Sequence, residues 1–185
     1  YKEGTNIAQA MDEARNRQMQ SDVVLIYRNI RTGKLREFSL DDNAWQNDSR
    51  WEWVDTRVAE DVADRVEPMI LEFYISDEQG EVTDSLLSIK GNLYMLCVTN
   101  RAHISDSCEK RLRSVVEQAA AEEAPVICLT PEPITRPTYH SFAGSEAVRC
   151  YNIDSKTMKT MLRANTGIVV LTDGIVTRKA NCRDI

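Results

Sequence analysis

The chain of 185 residues has no Cys-x-x-Cys pair, although it carries five cysteines, at positions 97, 108, 128, 150 and 182. An odd number without paired spacing specifies neither a complete disulfide framework nor a metal ribbon, and at least one thiol should stay free. Long apolar runs are missing too. The longest, Leu93 to Val98, has six residues, and Val23 to Tyr27 has five, against the roughly 20 that a spanning helix needs, so these residues are expected to be soluble. Positive charge is not in excess: 23 Lys and Arg against 29 Asp and Glu give a net charge of -6. That argues against nucleic acid or an anionic membrane surface as a partner. No glycine-rich phosphate loop and no Gly-x-Ser-x-Gly elbow occurs, so kinase and conventional hydrolase chemistry have no support. The chain opens on Tyr1 without methionine or a signal peptide, and is read as an excised part of a longer protein, with any export or membrane segment outside it.

What is present reads as one α/β domain with an N-terminal helix and β-hairpin extension, the extension covering residues 1–67 and the main domain residues 68–185. Tyr1 to Ile7 is expected to be extended. Ala8 to Gln20 predicts a weakly docked polar helix with only Ala10, Met11, Ala14 and Met19 available for contact. Val23 to Ile30 and Leu35 to Leu40 flank Arg31-Thr32-Gly33-Lys34, which predicts a hairpin. Asp41 to Arg50 is a polar loop. Trp51 to Asp55 alternates as a half-buried strand would, with both tryptophans on one face, and Thr56 to Val66, with valines at 58, 62 and 66, has the spacing of a short amphipathic helix or a loosely packed connector.

In the main domain, Met69 to Ile75 predicts a strand, Asp77-Glu78-Gln79-Gly80 a turn, and Asp84 to Ile89 a helical turn. Leu93 to Val98 is almost continuously apolar, as a central strand covered on both faces is. Ser105-Asp106 can cap a helix from Ser107 to Glu123, with Leu112, Val115, Val116, Ala119 and Ala120 on one side. Val126 to Leu129 is the next buried strand, so the two strands should run parallel with a right-handed crossover. Asp154 or Ser155 can cap a helix over Thr157 to Ala164, whose apolar face is Met158, Met161 and Leu162; Asn165 to Gly167 stops it. Ile168 to Leu171, Thr172-Asp173-Gly174 and Ile175 to Thr177 then read as strand, turn and returning strand. This helix, small-residue turn and Asp-Gly hairpin resembles the closing part of a thioredoxin-like domain, which implies a mixed central sheet flanked by helices.

In active members of that fold a cysteine pair sits where the central strand gives way to its helix, because the helix N-terminus stabilises the attacking thiolate. Here the junction, Thr99 to Cys108, holds Cys108 alone. The macrodipole favours its thiolate while Asp106 and Glu109 oppose it. A cis-proline facing the active pair is the second mark of the fold, and Thr166 stands at that position. Gly167 and Asn100, with Thr166, are the residues expected to border a groove for a partner. The tail carrying Cys182 is expected to be a disordered terminus. His103, His140, Cys108 and Cys128 are too scattered to suggest a metal site, and no cofactor is expected. Three of the cysteines lie in apolar or strand-like surroundings, where cysteine acts as a small hydrophobe.

The chain as a whole resembles the soluble C-terminal part of bacterial DoxX-like membrane proteins that carry a thioredoxin-like domain. Tyr1-Lys2-Glu3-Gly4-Thr5-Asn6-Ile7 is similar to the YKxGxNI segment after their last membrane helix. Tyr27 to Leu40 is similar to their charged hairpin, Trp51 to Asp55 to their tryptophan strand, and Val82-Thr83-Asp84 to their LTD turn. Lys159 to Asn165 and Leu171-Thr172-Asp173-Gly174 are similar to LKTMIRSNPG and LLKDG, with Thr166 where the family commonly has proline, and Cys182-Arg183-Asp184-Ile185 falls where its HRD-like endings occur. The resemblance implies a membrane-helix domain in the same full-length chain, an inner-membrane setting with this part on the periplasmic side, and an association with redox or sulfur metabolism. Two readings follow, beside the plainer one that the domain only stabilises or regulates the membrane portion. The missing Cys-x-x-Cys suggests a non-catalytic module that binds a protein or peptide beside Asn100, Thr166 and Gly167. The alternative is a thiol-disulfide oxidoreductase or peroxidase-like enzyme in which Cys108 works with a distant cysteine.

Overall fold

The computed structural model describes residues 2–21, 23–39, 49–58 and 73–185. The chain divides into two compact units, one of residues 11–71 and one of residues 1–10 with 72–185. The architecture is mixed α/β, with four α-helices and ten strands among the described residues.

In the smaller unit, helix α1 (Ile7–Ser21), whose first residues belong to the larger one, is followed by β1 (Val23–Asn29), β2 (Leu35–Ser39) and β3 (Trp51–Val58). The strands form an antiparallel sheet in the order β2-β1-β3. The expected hairpin forms for a local reason: Asn29 Oδ1 accepts the N–H groups of Arg31 and Thr32 at 3.0 Å, and Gly33, at φ +72°, supplies the left-handed residue. Phe38 is buried and meets Tyr27 and Trp51 edge-on, with ring centroids 5.6 and 5.2 Å away. Trp51 is half-buried, whereas Trp53 is 57% exposed. The helix or connector expected from Thr56 does not start there, because Thr56, Arg57 and Val58 continue the ladder opposite Leu25, Val24 and Val23. The rest of that segment, residues 59–66, lies outside the described residues, as do most of the polar loop (41–48) and positions 69–72 of the expected strand.

The larger unit contains β4 (Ile75–Ser76), α2 (Thr83–Leu87), β5 (Asn92–Val98), α3 (Asp106–Ala121), β6 (Val126–Thr130), β7 (Tyr139–His140), β8 (Val148–Ile153), α4 (Ser155–Leu162), β9 (Thr166–Thr172) and β10 (Ile175–Asn181). Its strand order is β10-β9-β5-β6-β8-β4, with β7 paired to β8. Strands β5, β6 and β8 run parallel, while β9, β10 and β4 are each antiparallel to a neighbour. The start of the chain joins this sheet and not the hairpin extension: Asn6 bridges Ile175, and Gly4 N–H donates to Val176 O at 2.7 Å.

Strand β5 has neighbours on both sides and is covered on both faces, as its apolar run predicts. Tyr94, Leu96 and Val98 share one core cluster with Cys108, Leu112, Val115, Val116 and Ala119 of α3. Leu93, Met95 and Cys97 alternate to the other face. That is the face of α4, since a Cβ on Gly167, the register partner of Cys97, would meet Leu162 Cδ2 at 2.9 Å. Ser105 caps α3 and Asp154 caps α4, each side chain accepting a backbone N–H three residues on. Helix α4 ends two residues before the expected Ala164, because Arg163 takes a left-handed conformation and returns its N–H to Lys159 O at 2.8 Å.

Candidate functional site

Three segments of the larger unit meet at the carboxyl end of β5. The first leaves β5 at Val98: Thr99 N–H donates to Asn165 O at 2.9 Å, which ties this end to the start of β9. Asn100 then caps a 3-10 turn, Arg101–His103, by accepting Ala102 N–H on its Oδ1 at 2.9 Å. The second is the first turn of α3, where Cys108 is the third helical residue and is buried. The third is the chain leaving β10. Asn181 folds it back, accepting Arg183 N–H on its side chain at 2.8 Å and Asp184 N–H on its carbonyl at 3.0 Å.

Cys108 and Cys182 form a disulfide across these segments, with Cα atoms 5.7 Å apart and within the usual range for such bonds. Cys182 is half-buried and Cys108 buried, so Cys182 is the more exposed residue of the pair. Its backbone is held as well: Cys182 N–H donates to Thr166 O at 3.0 Å, and Arg111 Nη1 donates to the carbonyls of Cys182, at 2.9 Å, and of Arg183. Cys182 and Ile185 pack against the α3-side core cluster. The tail expected to be a disordered terminus is therefore docked, because one covalent bond, three hydrogen bonds and two apolar side chains fix a four-residue segment.

The residues singled out from the sequence separate into two groups. Cys108 and Thr166 both touch the docked tail, Thr166 through its carbonyl. Asn100 is exposed and spends its side-chain oxygen on the turn, so it shapes the loop. Gly167 does not border a groove: the space where its side chain would lie is filled by Ala180 O, Asn181 Cα and Leu162. Its lack of a side chain serves close packing of β9 against β10 and α4. Sequence reasoning misses Arg111. Its position three residues after Cys108, on the same helical stripe, is the signal that could have found it.

Beside this site, Arg101 and Glu132 form a paired, part-buried unit. Arg101 donates through its backbone N–H to Glu132 Oε1 at 2.9 Å, and through Nε and Nη2 to Oε2 at 2.9 and 2.6 Å. Burial pushes the Glu132 carboxyl up, but the backbone N–H and the guanidinium outweigh it and leave the group below its ordinary value. A carboxyl whose folded value lies below its unfolded one stabilises the fold above the unfolded value, and loses that contribution as pH falls through the folded one. Glu132→Gln is therefore expected to lower stability by about 1 kcal/mol at neutral pH, a figure discounted for partial solvent exposure. The difference from wild type should close as pH falls below about 4, near and under the ordinary carboxylate value. Urea midpoints of both proteins across that range check it, and a constant difference would contradict the ion-pair account. Among the described residues no cluster of three or more His, Cys, Asp or Glu side chains is arranged to hold a metal ion.

A family described as a domain of unknown function (DUF8463) matches residues 21–59, the stretch that carries β1, β2 and β3. No curated protein matches the chain.

Proposed function

We propose that the unit containing residues 72–185 is a thioredoxin-like thiol-disulfide exchange module, the soluble periplasmic part of a DoxX-type membrane protein, with Cys108 and Cys182 as its redox couple. The observation that carries this reading is the disulfide at the carboxyl end of the central strand, with one sulfur in the first turn of α3. The βαβ pair of β5, α3 and β6, with the β9–β10 hairpin on the other side of β5, supports the thioredoxin-like part. Of the two readings left by the sequence, this pairing favours the split dithiol over the non-catalytic module, since a distant cysteine stands where a Cys-x-x-Cys partner would be needed.

The chemistry follows from the asymmetry of the two sulfurs. A thiolate of a partner protein or peptide attacks Cys182 Sγ, the partner–Cys182 bond forms, the Cys108–Cys182 bond breaks, and Cys108 leaves with the electron pair. The α3 N-terminus stabilises that leaving thiolate, and a better leaving thiol speeds exchange. A second partner thiol, losing its proton, then attacks the partner sulfur of the mixed disulfide and expels Cys182, which takes up a proton. Two electrons and two protons pass to the module, and the partner becomes a disulfide. Release of the tail also frees Thr166 O and Arg111 for the backbone of a bound peptide, which keeps Thr166 in the binding role expected of it.

The test is the equilibrium of the full chain with glutathione redox buffers, read by alkylation and peptide mass spectrometry. The expected result is rapid, reversible exchange with a potential above about -300 mV, the level below which disulfides behave as structural staples. Oxidation of a reduced dithiol peptide should be lost in both Cys108→Ser and Cys182→Ser. A bond that stays closed throughout the glutathione range overturns the proposal.

A further inference from the structure

Exchange at Cys108 and Cys182 leaves Cys97, Cys128 and Cys150, all buried thiols. They are not equivalent. Cys128 and Cys150 are direct register partners on the parallel strands β6 and β8, and both face the α3-side core. Adjacent strands lie about 4.8 Å apart, within the roughly 4.4–6.8 Å between Cα atoms that a disulfide spans. Cys97 lies on the opposite face of β5, with Met95 O as its sulfur's acceptor at 3.9 Å.

Among the described residues a guanidinium comes within hydrogen-bonding distance of one of these sulfurs, while Lys179 bears on Cys97 and Arg101 on Cys128 through charge alone. Arg101 Nη1 lies 3.7 Å from Cys150 Sγ, while the other guanidinium nitrogens are fixed by Glu132. Asn152, two residues past Cys150, donates to Glu132 O at 3.0 Å and ties this arrangement to β8. The Arg101 side chain is 21% exposed, so it spans from solvent to an otherwise covered thiol. Glu132 balances the charge of the guanidinium, and the remaining nitrogen, Nη1, is the one directed at the sulfur.

We propose that Cys150, backed by Cys128 and faced by Arg101, is a second thiol redox site, and that its substrate is a small peroxide. Arg101 is its positioning residue. The Cys150 thiolate attacks one peroxide oxygen: the S–O bond forms, the O–O bond breaks, and the leaving hydroxide takes a proton from solvent to become water. Cys128 loses its proton and attacks Cys150 Sγ, an S–S bond forms, the S–O bond breaks, and the expelled hydroxide leaves as water with that proton. Two thiols and one peroxide give one disulfide and two waters. Hydrogen bonding from Cys128 and the charge of Arg101 hold the Cys150 thiol below its ordinary range despite burial, whereas burial pushes Cys97 up to about 12. This inference is independent of exchange at Cys108–Cys182, which stays oxidised throughout.

The experiment is a hydrogen peroxide time course on the oxidised full chain, trapped with dimedone and by differential alkylation, and read cysteine by cysteine. Cys97 is the internal control, since it is equally buried. Cys150 is expected to be consumed at least about tenfold faster than Cys97, one pKa unit being tenfold in thiolate, and to end as a Cys128–Cys150 linked peptide. Cys128→Ser should leave a dimedone adduct on Cys150. Arg101→Gln should slow Cys150 by about tenfold, the loss of one charge-assisted hydrogen bond, without changing Cys97. Equal rates at Cys150 and Cys97 in the native protein, or a Cys150-to-Cys97 rate ratio in Arg101→Gln equal to that of wild type, overturn the proposal, and each ratio is read within one folded sample.

Discussion

Replacing Cys182 by serine is expected to lower the stability of the protein by about 3–4 kcal/mol, close to the roughly 4.5 kcal/mol that the chain-entropy account assigns to closing a loop of this length. The sequence separation is 74 residues, so the bond restricts most of the larger unit in the unfolded chain. The effect on the folded state is smaller: the hydrogen bonds from Cys182 N–H to Thr166 O, and from Arg111 to the carbonyls of Cys182 and Arg183, loosen once the tail is untethered. A midpoint lower by about 10 °C or more is the matching thermal result. Wild type under reducing conditions should fall to the same midpoint as the variant, and the variant should be insensitive to reductant. A wild-type midpoint that does not move on full reduction would show that the bond does not constrain the chain. The two conditions also separate stability from activity, because a variant that stays folded at 25 °C and fails to oxidise a dithiol peptide has lost chemistry and not structure.

Gly167→Ala is the substitution expected to be least tolerated after that one, with a loss of about 3 kcal/mol or recovery only in insoluble form, the upper range for a forced methyl in a packed core. The added Cβ would meet Ala180 O, Asn181 Cα at 2.8 Å and Leu162 Cδ2 at 2.9 Å. Two of these atoms are backbone of β10, whose ladder with β9 places Asn181 directly opposite Gly167. They cannot withdraw without opening the pairing that carries the chain to Cys182. Thr166→Ala, one residue away, removes a half-buried side chain and keeps the carbonyl that holds the tail, so its effect should stay under about 1 kcal/mol. Urea unfolding of the two variants side by side is the measurement. Equal, small effects would mean that β9 and β10 are less closely packed than these distances require.

Much of the fold was legible because local chemistry and tertiary role agree. The apolar run at Leu93 to Val98, the caps at Ser105 and Asp154, and the turns at Gly33 and Asp173-Gly174 each ask for one local structure, and the chain adopts it. Thr56 to Val58 depart from the expectation because strand pairing with Val23 to Leu25 takes these three residues into the sheet. The site was less legible. Thr166 and Cys108 could be named from their place beside the central strand, but Gly167 looked like a groove residue because glycine at a turn and glycine under close packing are identical in sequence.

The sequence by itself determined the alternation of strands and helices, the buried centre of the sheet and the absence of an adjacent cysteine pair, since these depend on residue type and short-range spacing. Only the tertiary structure decided which thiols meet. Cys108 reaches Cys182 across 74 residues because the β9–β10 hairpin returns the chain to the end of β5, and Cys128 meets Cys150 because β6 and β8 lie side by side in register. Contacts between residues far apart in the chain are set by strand order, and no local pattern around either cysteine encodes it.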